Sequence, residues 1–182
     1  MAMPITVPTY TVEDLDPFPE DGNRYELLDG LLLVSPGPGL PHQVVTGRLM
    51  IRLGELLRPW PRLLVTSPGP VIQRPKTRLE PDILVFGAPI GEATWDAVRD
   101  KLLAVETTSQ STHVYDRDFK RPAYLELGVA EVWRVDLDQE CILVSRPGAP
   151  PDQTHTDDLV WSPAGIGTSF LIEIRPLFAG LG

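Results

Sequence analysis

Two runs of the chain, Asp82-Ile-Leu-Val-Phe86 and Leu102-Leu-Ala-Val-Glu106, are apolar without alternation, the pattern of strands buried on both faces. Upstream, Val45, Leu49, Leu53, Leu56 and Leu57 recur at helical spacing between His42 and Arg58, and Pro59 and Pro61 end that helix. Arg24 to Ser35 reads as two strands around an Asp29-Gly30 turn. Thr11-Val-Glu-Asp14 opens a short helix that stops before Pro17. Strands are expected at 62–66 and 71–74, and a short helix at 94–101. A helix at 116–127 puts Phe119, Ala123 and Leu127 on one face and ends at Gly128. A strand at 131–136 leads into an antiparallel pair near Cys141–Ser145 and Leu159–Trp161, and Phe170–Ile174 is the last strand. Strand 102–107, helix 116–127 and strand 131–136 form a right-handed crossover, so those two strands are parallel. The fold class that follows is α/β, a mixed β-sheet with helices on both faces. Residues 1–182 form one domain, with a core at about 24–137 and a C-terminal β extension at about 138–178.

Composition narrows the function classes. The chain of 182 residues is 42% hydrophobic and 23% charged, ordinary for a globular domain. Its 20 prolines fall between elements and stiffen the loops. A single cysteine, Cys141, excludes an intrachain disulfide and suits a reducing compartment. No signal-peptide pattern opens the chain, and Pro36, Pro38 and Pro41 break its longest uncharged run, so a cytoplasmic location without membrane contact is expected. The net charge of −9 is unevenly spread. Residues 1–30 carry seven acids and one base, whereas residues 48–78 carry seven bases against Glu55 alone. Within that stretch Arg48 and Arg52 are either nucleic-acid contacts or the solvated face of a helix. No Gly-rich phosphate loop, dinucleotide fingerprint or nucleophile elbow is present, and His113 and His155 lack zinc-ligand spacing.

The remaining chemistry concentrates at one strand end. If the two apolar strands are antiparallel neighbours, Asp82 begins one beside the place where Glu106 ends the other. Two buried carboxylates repel unless a cation or a shared proton compensates them. A hard divalent ion such as Mg²⁺ or Mn²⁺ does so, with waters and phosphate oxygens completing its shell. Asp82 alone also reads as a strand-entry turn residue after Pro81. Glu106 is harder to explain without a partner, because Leu102 to Val105 carry it inward. Lys120 alone reads as a solvated helix lysine.

The ordered set Arg24-Tyr-Glu-Leu-Leu-Asp-Gly30, Ser35-Pro-Gly-Pro…His42, Pro81-Asp82, Val105-Glu106-Thr-Thr-Ser109 and Asp116-Arg-Asp-Phe-Lys120…Tyr124…Trp133 resembles a large bacterial family. This is the family of putative restriction endonucleases within the PD-(D/E)XK nuclease superfamily, and the likeness runs from about residue 11 to residue 175. It implies a restriction-endonuclease-like core and a metal-dependent DNA endonuclease. It also implies a metal site from Asp82 and Glu106, with Glu26 as a further acidic member that otherwise reads as an edge-strand charge facing water. The superfamily lysine two residues after the glutamate is Thr108 here, and the resemblance moves its role to Lys120. A nuclease-fold binding module without turnover is the alternative that this departure keeps open. His42 contacts phosphate or Glu26, or else caps the helix. Tyr124 holds Lys120 or simply packs. Gln110 is a loop candidate for phosphate. A homodimer, pairing two sites across a duplex, is compatible with the family.

Overall fold

The first hairpin forms where two consecutive residues tolerate positive φ, and its turn fixes the first functional strand. Strands β1 (Asn23–Leu28) and β2 (Leu31–Pro36) pair antiparallel around Asp29 (φ 51°) and Gly30 (φ 83°), the backbone of a turn whose twist matches its strands. The computed structural model describes residues 8–87, 94–108, 116–149 and 152–181. Ahead of β1, a single 3-10 turn at Val12–Leu15 replaces the expected short helix, and the Asp14 carboxylate accepts the Thr11 N–H at 2.7 Å.

Helix α1 spans Leu40–Leu57 and buries Val45, Leu49, Leu53 and Leu57, the stripe that the sequence spacing requires. β3 (Leu63–Thr66), β4 (Val71–Gln73), β5 (Thr77–Leu79) and β6 (Ile83–Gly87) follow, then β7 (Asp100–Thr108), helix α2 (Arg121–Glu126) and β8 (Val132–Asp136). β9 (Cys141–Ser145), β10 (Gln153–His155), β11 (Asp158–Trp161), β12 (Phe170–Glu173) and the short α3 (Arg175–Phe178) complete the order. The main sheet runs β10-β9-β8-β7-β6-β3, and a smaller one runs β2-β1-β5-β4. β6 and β7 are antiparallel with Ile83 opposite Val105, and β7 and β8 are parallel, as expected.

Alternation along the central strands sorts their side chains between two layers. Ile83, Val85, Leu103, Val105, Trp133 and Val135 pack with α1 and the β11–β12 hairpin. Leu84, Ala104 and Val132 pack with α2 and with Val71 and Leu79 of the smaller sheet. Helices therefore lie on both faces, and the two layers meet where β6 begins and β7 ends.

Three local expectations differ from the structure. The 94–101 helix is a 3-10 turn at Trp95–Ala97, because Asp100 and Lys101 are drawn into β7 by pairing with Gly87 and Phe86. β9 pairs with β10, and β11 with β12, so Cys141–Ser145 and Leu159–Trp161 are not partners. The 116–127 helix opens as a π turn over Asp116–Lys120 before α2. A π turn closes i→i+5 bonds and shifts the helical face by about one residue. Phe119, expected inside, is therefore 49% exposed, and Lys120 is buried in its place.

Candidate active site

Four carboxylates and two permanent cations are brought to the junction of the two layers. Extending the β6–β7 register by one pair sets Asp82 beside Glu106. The Thr107 N–H donates to Asp82 Oδ2 at 2.8 Å, so a main-chain donor of β7 holds the carboxylate at the strand end. From α1, His42 Nε2 lies 2.9 Å from the same oxygen, and Thr46 and Thr107 share a hydroxyl hydrogen bond at 2.8 Å. From β1, Arg24 Nη1 donates to Asp82 Oδ1 at 2.9 Å and to the Glu80 carbonyl at 3.3 Å.

Glu106 turns into the other layer. Its Oε1 accepts the Tyr124 hydroxyl at 2.6 Å and lies 3.4 Å from Lys120 Nζ. Lys120 also stands 2.5 Å from Glu26 Oε2 and 3.7 Å from Asp116 Oδ1. The Glu80 N–H of the loop after β5 holds the second oxygen of Glu26 at 2.7 Å. Glu26, Asp82, Glu106, Asp116, Lys120 and Tyr124 are all buried. All but Tyr124 line a cleft of about 610 Å³ that Arg24 and His42 also enter.

The electrostatics follow from this crowding. Burial opposes ionisation of Asp82, but the His42 hydrogen bond, the Arg24 guanidinium and the Thr107 N–H outweigh it and hold the carboxyl below its ordinary range. Glu106 goes the other way. Burial pushes it well above the ordinary value, Lys120 pulls it down, and repulsion from Asp116, Asp82 and Glu26 adds to the rise. Burial would strip the proton from Lys120, yet Glu106, Glu26 and Asp116 keep the ammonium charged above the usual lysine range. Burial and the neighbouring Glu106 likewise keep Tyr124 protonated as a donor.

Among the described residues gathered here, the carboxylates Glu26, Asp82, Glu106 and Asp116 outnumber the permanent cations Arg24 and Lys120. A hard divalent ion with oxygen donors fits that imbalance. Among the described residues no group of three or more His, Cys, Asp or Glu is disposed as a ready-made cage. An ion that keeps several of its waters, as Mg²⁺ does, needs only one or two protein carboxylates.

Every expected site residue among the described ones except Arg48 and Arg52 is in or against this cluster. Tyr124 secures Glu106 rather than Lys120, and His42 contacts Asp82 rather than Glu26. Gln110 falls outside the described residues. Arg48 Nη1 donates to the Leu177 and Ala179 carbonyls at 2.9 and 2.8 Å, and Arg52 Nη2 to the Leu171 carbonyl at 3.2 Å. These bonds give both arginines a part in fastening the C-terminal segment to α1. Sequence reasoning passed over Arg24 and Asp116 as site residues. Asp116 had a signal in its four-residue spacing from Lys120 at a helix start, whereas Arg24 had only its closeness to Glu26.

A model of the family described as "Uma2: Putative restriction endonuclease" matches residues 12–172. The chain belongs to the Uma2 family. Comparison with curated proteins gives no significant match. Among solved structures, this Uma2 chain is similar to the crystal structure of a putative nuclease belonging to DUF820 from Anabaena variabilis ATCC 29413. The TM-score is 0.71 over 92% of this chain and 97% of that one, at 17% identity, which shows a shared fold. No helix among the described residues of the Uma2 chain is long and apolar enough to cross a membrane.

Proposed function

We propose that this Uma2-family chain is a divalent-metal-dependent DNA endonuclease that hydrolyses phosphodiester bonds in the cleft between its two layers. The observation that carries the reading is the convergence of Glu26, Asp82, Glu106 and Lys120, from four separate elements, on one open cleft. Family membership supports the same reading.

Asp82 and Glu106 would hold Mg²⁺ or Mn²⁺, with Glu26 assisting directly or through water. The ion, when bound, supplies positive charge at the scissile phosphate and acidifies an attacking water. The chain's own groups do the positioning. Asp82 is ionised and fixed by three donors from three elements, so its oxygens need little reorganisation. Tyr124 fixes the rotamer of Glu106 by donating to one oxygen. Lys120 is a charged donor throughout the neutral range, which suits it to orient a water or offset charge on phosphorus and not to act as a base. Thr108 occupies the usual lysine position, and the π turn offers an ammonium to the same cleft from the α2 side of the sheet. A homodimer that sets two clefts against the two strands of a duplex belongs to this proposal, as does a cytoplasmic location.

The test is supercoiled plasmid nicking in Mg²⁺ or Mn²⁺ with wild type, Asp82→Asn and Glu106→Gln, each purified in parallel. Nicking by wild type that EDTA and both substitutions abolish supports the assignment. Equal nicking by all three proteins would trace the activity to a contaminant and remove the site from consideration. Metal-dependent DNA binding by wild type with no nicking in either ion would replace the enzyme with a binding module.

A further inference from the structure

We propose that Arg24 is the substrate-phosphate clamp of this cleft, gripping a phosphodiester oxygen pair of the nucleic acid. The inference rests on the endonuclease reading and adds to it the group that binds the substrate's charge.

The cleft is a hostile place for a polyanion. Glu26, Asp82, Glu106 and Asp116 line it, and Asp138 and Glu140 stand with them. The basic residues among its described lining are Arg24, His42 and Lys120. The Lys120 ammonium has three carboxylates within 3.7 Å and a side chain only 7% exposed, so it acts from within the carboxylate cluster and is not a free grip for the strand. His42 spends Nε2 on Asp82. Arg24 differs from both. One nitrogen, Nη1, makes both of its bonds, to Asp82 and to the Glu80 carbonyl, and the side chain is 21% exposed. Among the described residues, neither Nε nor Nη2 has a hydrogen-bond partner, and neither is sealed from solvent. Arg24 thus lines the cleft with donors of a planar fork still unused. That fork matches two oxygens of a phosphate, which a lysine in its place would not.

Asp82 has a second task in this arrangement. By holding Nη1 it fixes the plane of the guanidinium, so the clamp is set before substrate arrives and loses little freedom on binding. The same contact keeps the clamp beside the carboxylates that would hold the ion.

The test measures binding of a short mixed-sequence DNA duplex by wild type, Arg24→Gln and Arg24→Lys over a salt series, with Ca²⁺ replacing Mg²⁺. Thermal melts of each protein are recorded alongside. Arg24→Gln is expected to weaken binding about ten- to a hundredfold. It is also expected to make the log–log salt slope shallower by about 0.9, the loss of one phosphate contact. Arg24→Lys should keep the wild-type slope while binding more weakly than wild type, because charge survives and the fork does not. An Arg24→Gln slope parallel to wild type overturns the clamp and leaves the nuclease reading standing. A wild type that binds no duplex, with or without metal, overturns both. Should Arg24→Gln fail to fold, the arginine Nε–H resonance that disappears in Arg24→Lys is followed in wild type instead. It must shift when duplex is added, and a stationary resonance overturns the clamp.

Discussion

Replacing Lys120 with alanine separates what this residue does for the fold from what it does for the chemistry. Its ammonium lies among Glu26, Glu106 and Asp116, all buried. Removing one partner of a buried ion pair costs about 3–5 kcal/mol, because the other charge is left uncompensated. For a chain of 182 residues the unfolding entropy is roughly 0.38 kcal/mol/K, so the melting temperature should fall by about 8–13 °C in metal-free buffer at neutral pH. The pH dependence has a definite sign. Lys120 is raised in the folded state, so its stabilisation is complete at neutral pH and fades only as pH climbs through the folded value. Glu106 is a raised carboxyl, so the folded state holds its proton more tightly, and stability is lost as pH rises above the ordinary glutamate range. Without Lys120 that loss deepens. The deficit of the variant should be largest at neutral pH and shrink towards about pH 4. Mg²⁺ should raise the melting temperature of Lys120→Ala more than that of wild type, since the ion then meets a more negative cleft. Differential scanning fluorimetry with EDTA or Mg²⁺ across pH measures all of this. A neutral-pH melting temperature within about 2 °C of wild type would show that the buried carboxylates do not lean on Lys120.

Tyr124→Phe removes the 2.6 Å bond to Glu106 and should cost about 1.5–3 kcal/mol in chemical denaturation, with kcat falling more than KM in a nicking assay. Gly69→Ala would place a Cβ 2.5 Å from both Leu84 Cβ and Thr66 Oγ1, and a thermal melt should show about 1–3 kcal/mol of lost stability. Arg48→Ala frees the Leu177 and Ala179 carbonyls and should speed hydrogen exchange over 175–181 while costing about 1–2 kcal/mol.

The parts of this molecule that could be read from its sequence are those whose cause is local. Unbroken apolar runs gave β6 and β7, and their antiparallel pairing alone brings Asp82 to Glu106. The i, i+4 stripe gave α1, and Asp29-Gly30 gave the hairpin that carries Glu26. Lys120 was reachable only through family resemblance, because a lone helix lysine has no signal of its own. What stayed hidden depends on contacts distant in the chain. Arg24 meets Asp82 only because the smaller sheet folds over the larger, and that docking leaves no periodicity in either segment. β10 is three residues, two of them exposed, so nothing in Gln153–His155 marks it as a strand until β9 offers an open edge. The π turn is equally silent. It shows only in which residues end up inside, Lys120 and not Phe119.

The fastening of the C-terminal segment to α1 has a practical side. Phe178 and Leu181 form part of the wall of the cleft. Any segment joined directly after Leu181 therefore starts beside the cleft wall, where an oligohistidine run could capture divalent ions. Metal titrations and cleavage assays are better made with such a run removed or placed ahead of the first strand.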